Sequence, residues 1–504
     1  MKIQNVKYIL LIIYCMGGLL IAQLYVPADP FNLLFTEKNM FLNDDRPGTF
    51  IFRPMFNSTK SKSIWELKIR SEFFYNSNAP NLENMSDRWI GKGVGHFSSI
   101  NLSYVSKYFA GSAEPYFFIS QNANYNEPER LAKFSRLNDN RPHTDSPYTS
   151  YGIRELQIYA KFKDIGVGYS NANMWWGSGM HSSIMMTNNT SGFGHIFLGT
   201  VGEKTYKNIG INARYIFSKF DKRSLYQPYF NAFAISLSYY SDNIYTIGVT
   251  KSSLLGGTND NVSWIEAATS VFGSGFIPES VTDDEFLENW DLDDRTAVAH
   301  FSIDIKKSML KIFFEIGKND IVRDINIFLV HPDNALATTL GIRKYEFFNL
   351  EQMFFGIEYT NLILPRMQHR VHSGDWYERS AYDYNSYNGR RWVAHSGSDS
   401  DDFLVTIGWL DDKITILPSI NYERHGHRWP TSVLGSNLIS DQLYDVPPET
   451  KLEFRLDLRY KYKDYNLNLY YEREIVLNLE SRDKIRNGNV LWVGIERDID
   501  NLFR

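Results

Sequence analysis

The sequence predicts an all-β protein, namely a transmembrane antiparallel β-barrel of about 16 to 18 strands, with 18 favoured, behind a short N-terminal helical or irregular segment. Three observations support this fold class. The chain begins with a segment typical of exported proteins, its composition is rich in aromatic residues, and its strands alternate apolar with charged side chains.

The first 22 residues have the order of a secretory signal peptide. Lys2 and Lys7 precede an almost uninterrupted apolar stretch over residues 8–21, and Ala22 comes before Gln23. A retained transmembrane anchor is the alternative, but the stretch is short for a span of about 20 residues and no basic cluster follows it. We therefore expect residues 1–22 to be a signal peptide, 23–60 an N-terminal segment, and 61–504 the barrel.

The composition excludes several classes of protein. Cys15 is the only cysteine and lies in the predicted signal peptide, so the exported chain has no disulfides and no thiolate metal site. A net charge of −5 over 504 residues gives no basic patch for nucleic acid, which we do not expect as a partner. No apolar run of helical-span length follows residue 22, so insertion into outer-membrane lipid requires strands.

The aromatic content agrees with a barrel in a membrane. Phe, Trp and Tyr make up 15% of the chain, while the mean hydropathy is −0.34. Membrane barrels combine an apolar outer face, a polar lumen and aromatic girdles at both interfaces, which together give such averages. A large soluble β protein has similar averages, so the alternation of residue types must decide.

Alternation is clearest near the C-terminus. Every even position from Leu452 to Tyr462 is Leu, Phe or Tyr, and every odd position between them is charged. Lys463 and Asp464 separate this run from a second one, which predicts a hairpin with a short turn. A soluble sandwich also alternates, but the number of such runs after an export signal favours a barrel. We expect the last strand to cover residues 490–496 and residues 498–504 to overhang it.

Two segments interrupt the strand pattern. Residues 26–45 predict a short helix packed on or in the barrel. Residues 278–294 are dense in Asp and Glu, which leaves open a calcium site or an ordinary solvated loop, and their spacing does not match an EF-hand.

The residues with the clearest potential for ligand binding lie in two stretches. The first, residues 168–200, combines paired tryptophans, Gly-x-Gly, an amide pair and histidines, a mixture that stacks on and hydrogen-bonds to sugars. Girdle tryptophans and wall glycines are the alternative. The second, residues 375–402, joins aromatic rings to two arginines that suit acidic sugars or phosphates, with an ordinary Tyr-rich loop as the alternative. The candidate glycan-binding residues are Trp175, Trp176, His181, Asn188, Asn189, His195, Trp376, Tyr377, Arg390, Arg391, Trp392 and His395.

Signals for catalysis or for a cofactor are weak. His425 and His427 alternate around Gly426 and make at most half a metal site, with no third ligand evident. Gly177-Ser178-Gly179 lacks the spacing of a nucleophile elbow. A carboxylate pair for glycoside hydrolysis cannot be read from sequence. We expect a protein without enzyme activity, metal or cofactor.

The stretch WWGSGMHSSIMMTNNTSGFGHIFLGT resembles the Wzi capsule-assembly family, especially its Bacteroidota versions. That family shows a paired tryptophan followed by Gly-x-Gly, an Asn-Asn pair and Gly-Phe-x-His. Here Ser178 replaces a proline common in the family, and Thr190-Ser191 replaces Ala-Pro. Further similar segments span nearly the whole exported chain and lie at residues 75–99, 315–320, 330–344 and 375–402.

The resemblance implies an outer-membrane barrel of about 18 strands that binds capsular or other surface polysaccharide and assists capsule assembly or attachment. It implies no catalytic residues. Two alternatives remain at this point, a channel that passes oligosaccharides and a structural partner of a secretion or gliding machinery. We expect a monomeric barrel in either case.

Overall fold

The barrel wall consists of eighteen antiparallel strands that close on themselves. In this computed structural model the described residues are 25–28, 30–42, 49–56, 64–80, 83–125, 146–220, 228–256, 263–273, 294–319, 336–363, 376–377, 385–426 and 447–500. Within them the wall strands β1 to β18 are Ile64–Asn76, Gly93–Val105, Phe109–Ser120, Tyr148–Phe162, Ile165–Ser170, His195–Thr200, Ile209–Lys219, Tyr229–Tyr240, Ile244–Leu255, Asp294–Ile305, Leu310–Asn319, Leu336–Tyr345, Met353–Asn361, Ser400–Leu410, Ile414–His425, Glu449–Tyr462, Tyr465–Leu477 and Arg486–Asp500. The predicted fold class and the favoured strand number are confirmed.

Each wall strand pairs with its neighbours in the chain, and β18 closes the barrel against β1. The predicted C-terminal hairpin is confirmed, with Tyr462 opposite Tyr465 across a turn in which Lys463 has a φ of 54°. The predicted bounds of the last strand were too short. β18 continues to Asp500 because β1 offers backbone partners as far as Glu66.

The side chains on the wall are arranged inside out relative to a soluble protein. In β16 the ring of Phe454 is 42% exposed on the outer face, whereas Glu453 is 0% exposed and faces the lumen. A soluble sandwich would bury the apolar face and leave the charged face in water. The alternation therefore indicates that the outer face of the wall contacts lipid and that the inner face lines a polar lumen.

The two ends of the barrel differ in the length of their connections. At one end, which we call the short-turn end, neighbouring strands are joined by a few residues, as at 241–243, 411–413 and 463–464. At the other, the long-loop end, the connections include residues 171–194 and 362–399. No helix in the described part of the chain is long and apolar enough to cross a bilayer.

A helix occupies the lumen near the short-turn end. This helix, α1, covers Pro30–Leu42, and its first position suits proline because the N–H that proline lacks would have no partner there. Leu34 packs with apolar residues of the wall strands, including Phe354 and Leu410. The Nζ of Lys38 donates to the Leu410 carbonyl at 2.8 Å. The predicted short helix is therefore present and lies inside the barrel. A second helix, α2, covers Trp264–Thr269.

Two connections from the long-loop end also fold into the lumen. We call residues 171–194 the first inner loop, and the described residues 376–377 and 385–399 the second inner loop. The N-terminal segment joins them, since Phe52–Arg53 pairs as a short strand with Trp175–Trp176 of the first inner loop. Apolar side chains from both loops and this segment form a core within the lumen.

Candidate functional site

Both stretches singled out in the sequence lie together inside the barrel. Residues 181 and 402, for example, are far apart in the chain, yet His181 Nε2 lies 3.2 Å from Asp402 Oδ1. All twelve candidate residues are buried: Trp175, Trp176, His181, Asn188, Asn189, His195, Trp376, Tyr377, Arg390, Arg391, Trp392 and His395.

The Gly-x-Gly motif holds the first inner loop against the barrel wall. Glu315 of β11 projects into the lumen and accepts the Ser178 N–H at 2.9 Å, the Ser183 hydroxyl at 3.2 Å and the Ile184 N–H at 3.3 Å. A Cβ at Gly177 would lie 2.3 Å from Glu315 Oε1, so the loop can approach this carboxylate only with glycine there.

A second wall carboxylate holds the next turn of the same loop. Glu358 of β13 accepts the Met180 N–H at 2.6 Å and the His181 N–H at 2.8 Å. A Cβ at Gly179 would come 2.1 Å from the Ser182 carbonyl oxygen. The motif thus exposes backbone N–H groups to two buried carboxylates. Charged acceptors form hydrogen bonds about twice as strong as neutral ones.

The two inner loops bond directly to each other. The Thr187 N–H donates to the Trp392 carbonyl at 2.7 Å, and Asn189 Nδ2 donates to the Arg391 carbonyl at 3.1 Å. The Tyr377 hydroxyl donates to the Ile184 carbonyl at 2.8 Å, and burial raises the pKa of this phenol, which therefore stays a neutral donor. The amide pair and the Trp-Tyr segment thus join the loops into one unit.

The tryptophans pack inside this unit. Trp175, Trp176 and Trp376 are each 0% exposed, and Trp392 packs against Phe193 and other rings of the lumen core. The girdle interpretation of the pair is wrong, because both rings lie in the lumen and not at a lipid interface. No ring face of the pair is open for stacking on a sugar in this conformation. Direct sugar contact by these rings stays a prediction.

His195 and Arg390 have different surroundings. His195 lies on β6 with Nδ1 at 2.9 Å from the Phe193 carbonyl oxygen. Arg390 Nη1 donates to the Arg88 carbonyl at 3.1 Å. The Arg390 side chain also lines a polar cleft at the long-loop end of the barrel. Two other predictions fall on residues outside the described ranges, namely His427 and all of the acidic segment 278–294 except Asp294.

A polar cleft of about 180 Å³ lies where the two inner loops meet the wall at the long-loop end. Aromatic rings and hydrogen-bonding groups line it together. They are Asp87, Trp89, Tyr116, Tyr148, Ser150, Gly152, Ile153, Arg154, Asn171, Ser191, Gly192, Tyr387, Asn388 and Arg390. Of the twelve candidates only Arg390 is among them. Asn171, Tyr387 and Asn388 lie within the two stretches singled out in the sequence, whereas Tyr116 and Tyr148 were missed because they come from the wall strands β3 and β4.

A second cavity of about 290 Å³ lies inside the barrel between the first inner loop and α1. Leu34 of α1 and Met180 and His181 of the first inner loop line it, together with wall charges such as Arg70 and Arg459. Arg343 connects its two borders, because its Nη2 donates both to Glu37 Oε1 at 2.7 Å and to the Ser178 carbonyl at 2.9 Å.

The docking of α1 depends on Glu37. Burial would raise the pKa of this carboxyl, but Arg343 and Lys311 outweigh that effect and lower it from 4.5 to about 2. Because the folded-state pKa is the lower one, the contribution of Glu37 to docking is complete above about pH 4.5. It is lost as the pH falls toward 2.

We expect this loss to be measurable with a fluorophore on a cysteine introduced at the exposed Asn39, since residues 23–504 contain no other cysteine. The anisotropy of the label should fall between about pH 4.5 and 2 as α1 loosens. In a Glu37→Gln background that pH dependence should disappear. If the anisotropy changes with pH in the same way with and without the Glu37→Gln substitution, Glu37 does not control the docking of α1.

The family model described as Capsule assembly protein Wzi matches residues 77–490. A solved structure described as Wzi, an outer membrane protein involved in group 1 capsule assembly in Escherichia coli and a carbohydrate-binding β-barrel, is similar at a TM-score of 0.55 and 9% identity. The match covers 85% of this chain and 83% of that one. No curated protein sequence matches the chain.

Two further solved structures match with TM-scores below 0.5. OprD of Pseudomonas aeruginosa matches at a TM-score of 0.42 and 9% identity, covering 88% of this chain and 97% of that one. OccAB2 of Acinetobacter baumannii matches at 0.43 and 9%, covering 87% and 98%.

Proposed function

This chain belongs to the Wzi capsule-assembly family, and we propose that it binds surface polysaccharide at the long-loop end of its outer-membrane barrel. Through this binding the protein assists capsule assembly or attachment. The observation that supports this proposal is the polar cleft of about 180 Å³ between the inner loops and the wall. Ligand pockets for drug-sized molecules occupy roughly 300 to 1,000 Å³, so this cleft suits one or two residues of a glycan chain.

The chemistry of the cleft suits a sugar. Tyr148 and Tyr387 are partly exposed and offer aromatic faces for the C–H patches of a pyranose. Asn388 is exposed and donates to the Ser191 hydroxyl at 3.0 Å, which leaves its amide oxygen available to sugar hydroxyls. Arg154 and Arg390 both line the cleft, but Arg154 contacts Asp87 of the same cleft at 3.2 Å and Glu155 at 3.3 Å. The charges of the cleft therefore suit neutral as well as acidic sugars.

The orientation follows from the connections. In bacterial outer-membrane barrels the short turns face the periplasm and the longer loops face outside. The cleft then opens toward the cell surface, where capsule is attached, and α1 faces the periplasm. Residues 1–22 would be removed on export. Closure of β18 on β1 shows that one chain builds the whole barrel, and we propose that this barrel is a monomer.

The buried candidates take a positioning role in this proposal. Trp176, Asn189 and Trp392 hold the two inner loops together, and these loops carry one wall of the cleft. The channel alternative is disfavoured because α1 and the inner loops occupy the lumen that an oligosaccharide would have to cross.

Replacing Tyr148 or Asn388 by Ala should weaken binding of the producer's own capsular polysaccharide to the detergent-solubilised protein. The loss of one aromatic contact costs about 0.5 to 1.5 kcal/mol, or roughly fivefold in the dissociation constant for Tyr148. Tyr151→Ala is the matched control, because Tyr151 lies on the same strand β4 but is 79% exposed on its outer face.

If both cleft variants bind the capsular polysaccharide as tightly as the parent protein does, the cleft is not the binding site. Deleting the gene and staining for capsule tests the cellular role separately. Normal capsule on the deletion strain would contradict a role in assembly or attachment.

A further inference from the structure

Four potential metal ligands meet at one point inside the barrel. They are His181 of the first inner loop, His395 of the second inner loop, Asp402 of β14 and Glu423 of β15, and all four are buried. One ligand atom from each lies within 4.8 Å of every other. Two loops and two strands therefore contribute to a single cluster.

The spacing of these atoms matches a tetrahedral cation site. His181 Nε2 lies 3.1 Å from Asp402 Oδ2, His395 Nε2 lies 3.2 Å from the same oxygen, and His395 Nε2 lies 3.3 Å from Glu423 Oε1. Tetrahedral zinc bound at about 2.0 to 2.1 Å places neighbouring ligand atoms roughly 3.3 to 3.4 Å apart. These three distances are close to that spacing, and all four ligand atoms lie within 4.8 Å of one another.

The ligand atoms of the cluster contact mainly one another. Asp402 Oδ2 faces both His181 Nε2 and His395 Nε2, while His395 Nδ1 has no hydrogen-bond partner among the described residues. His395 is only 5% exposed and Asp402 only 1%. The two imidazoles supply at most two N–H groups at this point, whereas a cation at its centre would bind all four ligand atoms at once.

The surrounding charges also favour a cation. Lys451 and Arg455 are nearby side-chain cations, and both contact Glu83 and Glu453. Arg455 Nε also lies 2.8 Å from Glu472 Oε2, and the imidazole of His425 lies 3.1 Å from Glu423 Oε2. Glu83 and Glu453 already balance Lys451 and Arg455. Asp402 and Glu423 then add negative charge, although Lys451 Nζ also lies 3.1 Å from Glu423 Oε1. A divalent ion would neutralise this excess.

We propose that His181, His395, Asp402 and Glu423 bind a divalent transition-metal ion of the zinc class. Two imidazoles with two carboxylates suit zinc, whereas calcium and magnesium prefer oxygen ligands alone. The ion joins both inner loops to strands β14 and β15 and so has a structural role. Binding through His181 Nε2 puts the proton on Nδ1, so the 3.4 Å contact between Nδ1 and Arg455 Nη1 must lengthen.

The test uses the full chain without a histidine tag, purified in detergent from outer membranes with neither added metal nor chelator. Elemental analysis by mass spectrometry should find one zinc per chain. After dialysis against a chelator, titration with cobalt(II) should produce the visible absorption of a tetrahedral site. Added zinc should then displace the cobalt and abolish this absorption. No glycan is present, so the result is independent of the proposed function.

His395→Ala and Asp402→Asn should each lower the affinity for cobalt by at least about tenfold, since even groups behind the ligands change metal affinity by that much. His300→Gln is the matched control, because His300 is equally buried and bonds to Thr250 Oγ1 at 2.9 Å away from the cluster. A shift in gel mobility on heating shows in every variant that the barrel is folded. A folded parent protein that neither contains zinc nor binds cobalt would overturn the proposal, as would full affinity in His395→Ala.

Discussion

Replacing Glu37 by Gln should release helix α1 from the lumen wall, with a loss of about 3 to 5 kcal/mol in docking free energy, the usual effect of removing one partner of a buried ion pair. Glu37 accepts from Arg343 Nε at 2.8 Å and Nη2 at 2.7 Å and from the Tyr345 hydroxyl at 2.8 Å. Lys311 Nζ lies 3.1 Å away. A neutral amide at residue 37 would remove the carboxylate that pairs with the buried Arg343, whereas Lys311 would keep its contact with Asp304 Oδ1 at 3.2 Å.

Hydrogen exchange read by mass spectrometry gives the local measure. Peptides covering residues 30–42 should exchange far faster in the variant, while peptides of the wall strands should stay protected. In planar bilayers the variant should also conduct more ionic current than the parent protein, because α1 occupies the lumen at the short-turn end and its release opens that end. The control is Asn39→Ala on the exposed side of the same helix. If exchange in residues 30–42 is the same in Glu37→Gln and Asn39→Ala, the ion pair does not hold α1.

Replacing Glu358 by Ala should release the first inner loop. This carboxylate accepts both the Met180 and His181 N–H groups, and hydrogen bonds to charged groups contribute about 1.5 to 3 kcal/mol each. We expect a loss of about 3 to 6 kcal/mol in local stability, enough to populate an open loop. Gly179→Ala should act in the same direction, because its Cβ would lie 2.1 Å from the Ser182 carbonyl oxygen.

The readout is protease cleavage within residues 171–194 of the folded protein, followed by mass spectrometry. Both variants should be cut there much faster than the parent. Glu474→Ala is the control, since Glu474 is a wall glutamate of β17 that pairs with Arg486 and not with the loop. Glycan retention should fall along with loop docking, because the loop supplies Asn171, Ser191 and Gly192 to the cleft. Equal cleavage in Glu358→Ala and Glu474→Ala would show that the loop is held by other contacts.

Local pattern was enough to predict the wall. The alternation over Leu452–Tyr462 indicates which side chains share a face, and the pair Lys463-Asp464 marks a turn, because strand periodicity and turn chemistry depend only on neighbouring residues. The strand number followed from the length of the exported chain, and the family resemblance rested on motifs in order. The short helix was also predictable, since it interrupts the strand pattern.

The arrangement of loops and side chains inside the barrel depends on contacts between residues that are far apart in the sequence, and local patterns do not predict it. The sequence singled out Trp175 and Trp376 as candidate sugar contacts, and the structure buries both rings completely. Trp376 packs in the lumen core, and Trp175 packs under the Arg53 guanidinium. Glu358 attracted no notice as a sequence feature, although it holds the Gly-x-Gly turn from another strand. His181, His395, Asp402 and Glu423 likewise meet only when two loops fold inward. A period of two residues determines which face of a strand is polar, whereas the partners of that face are chosen by the three-dimensional path of the loops.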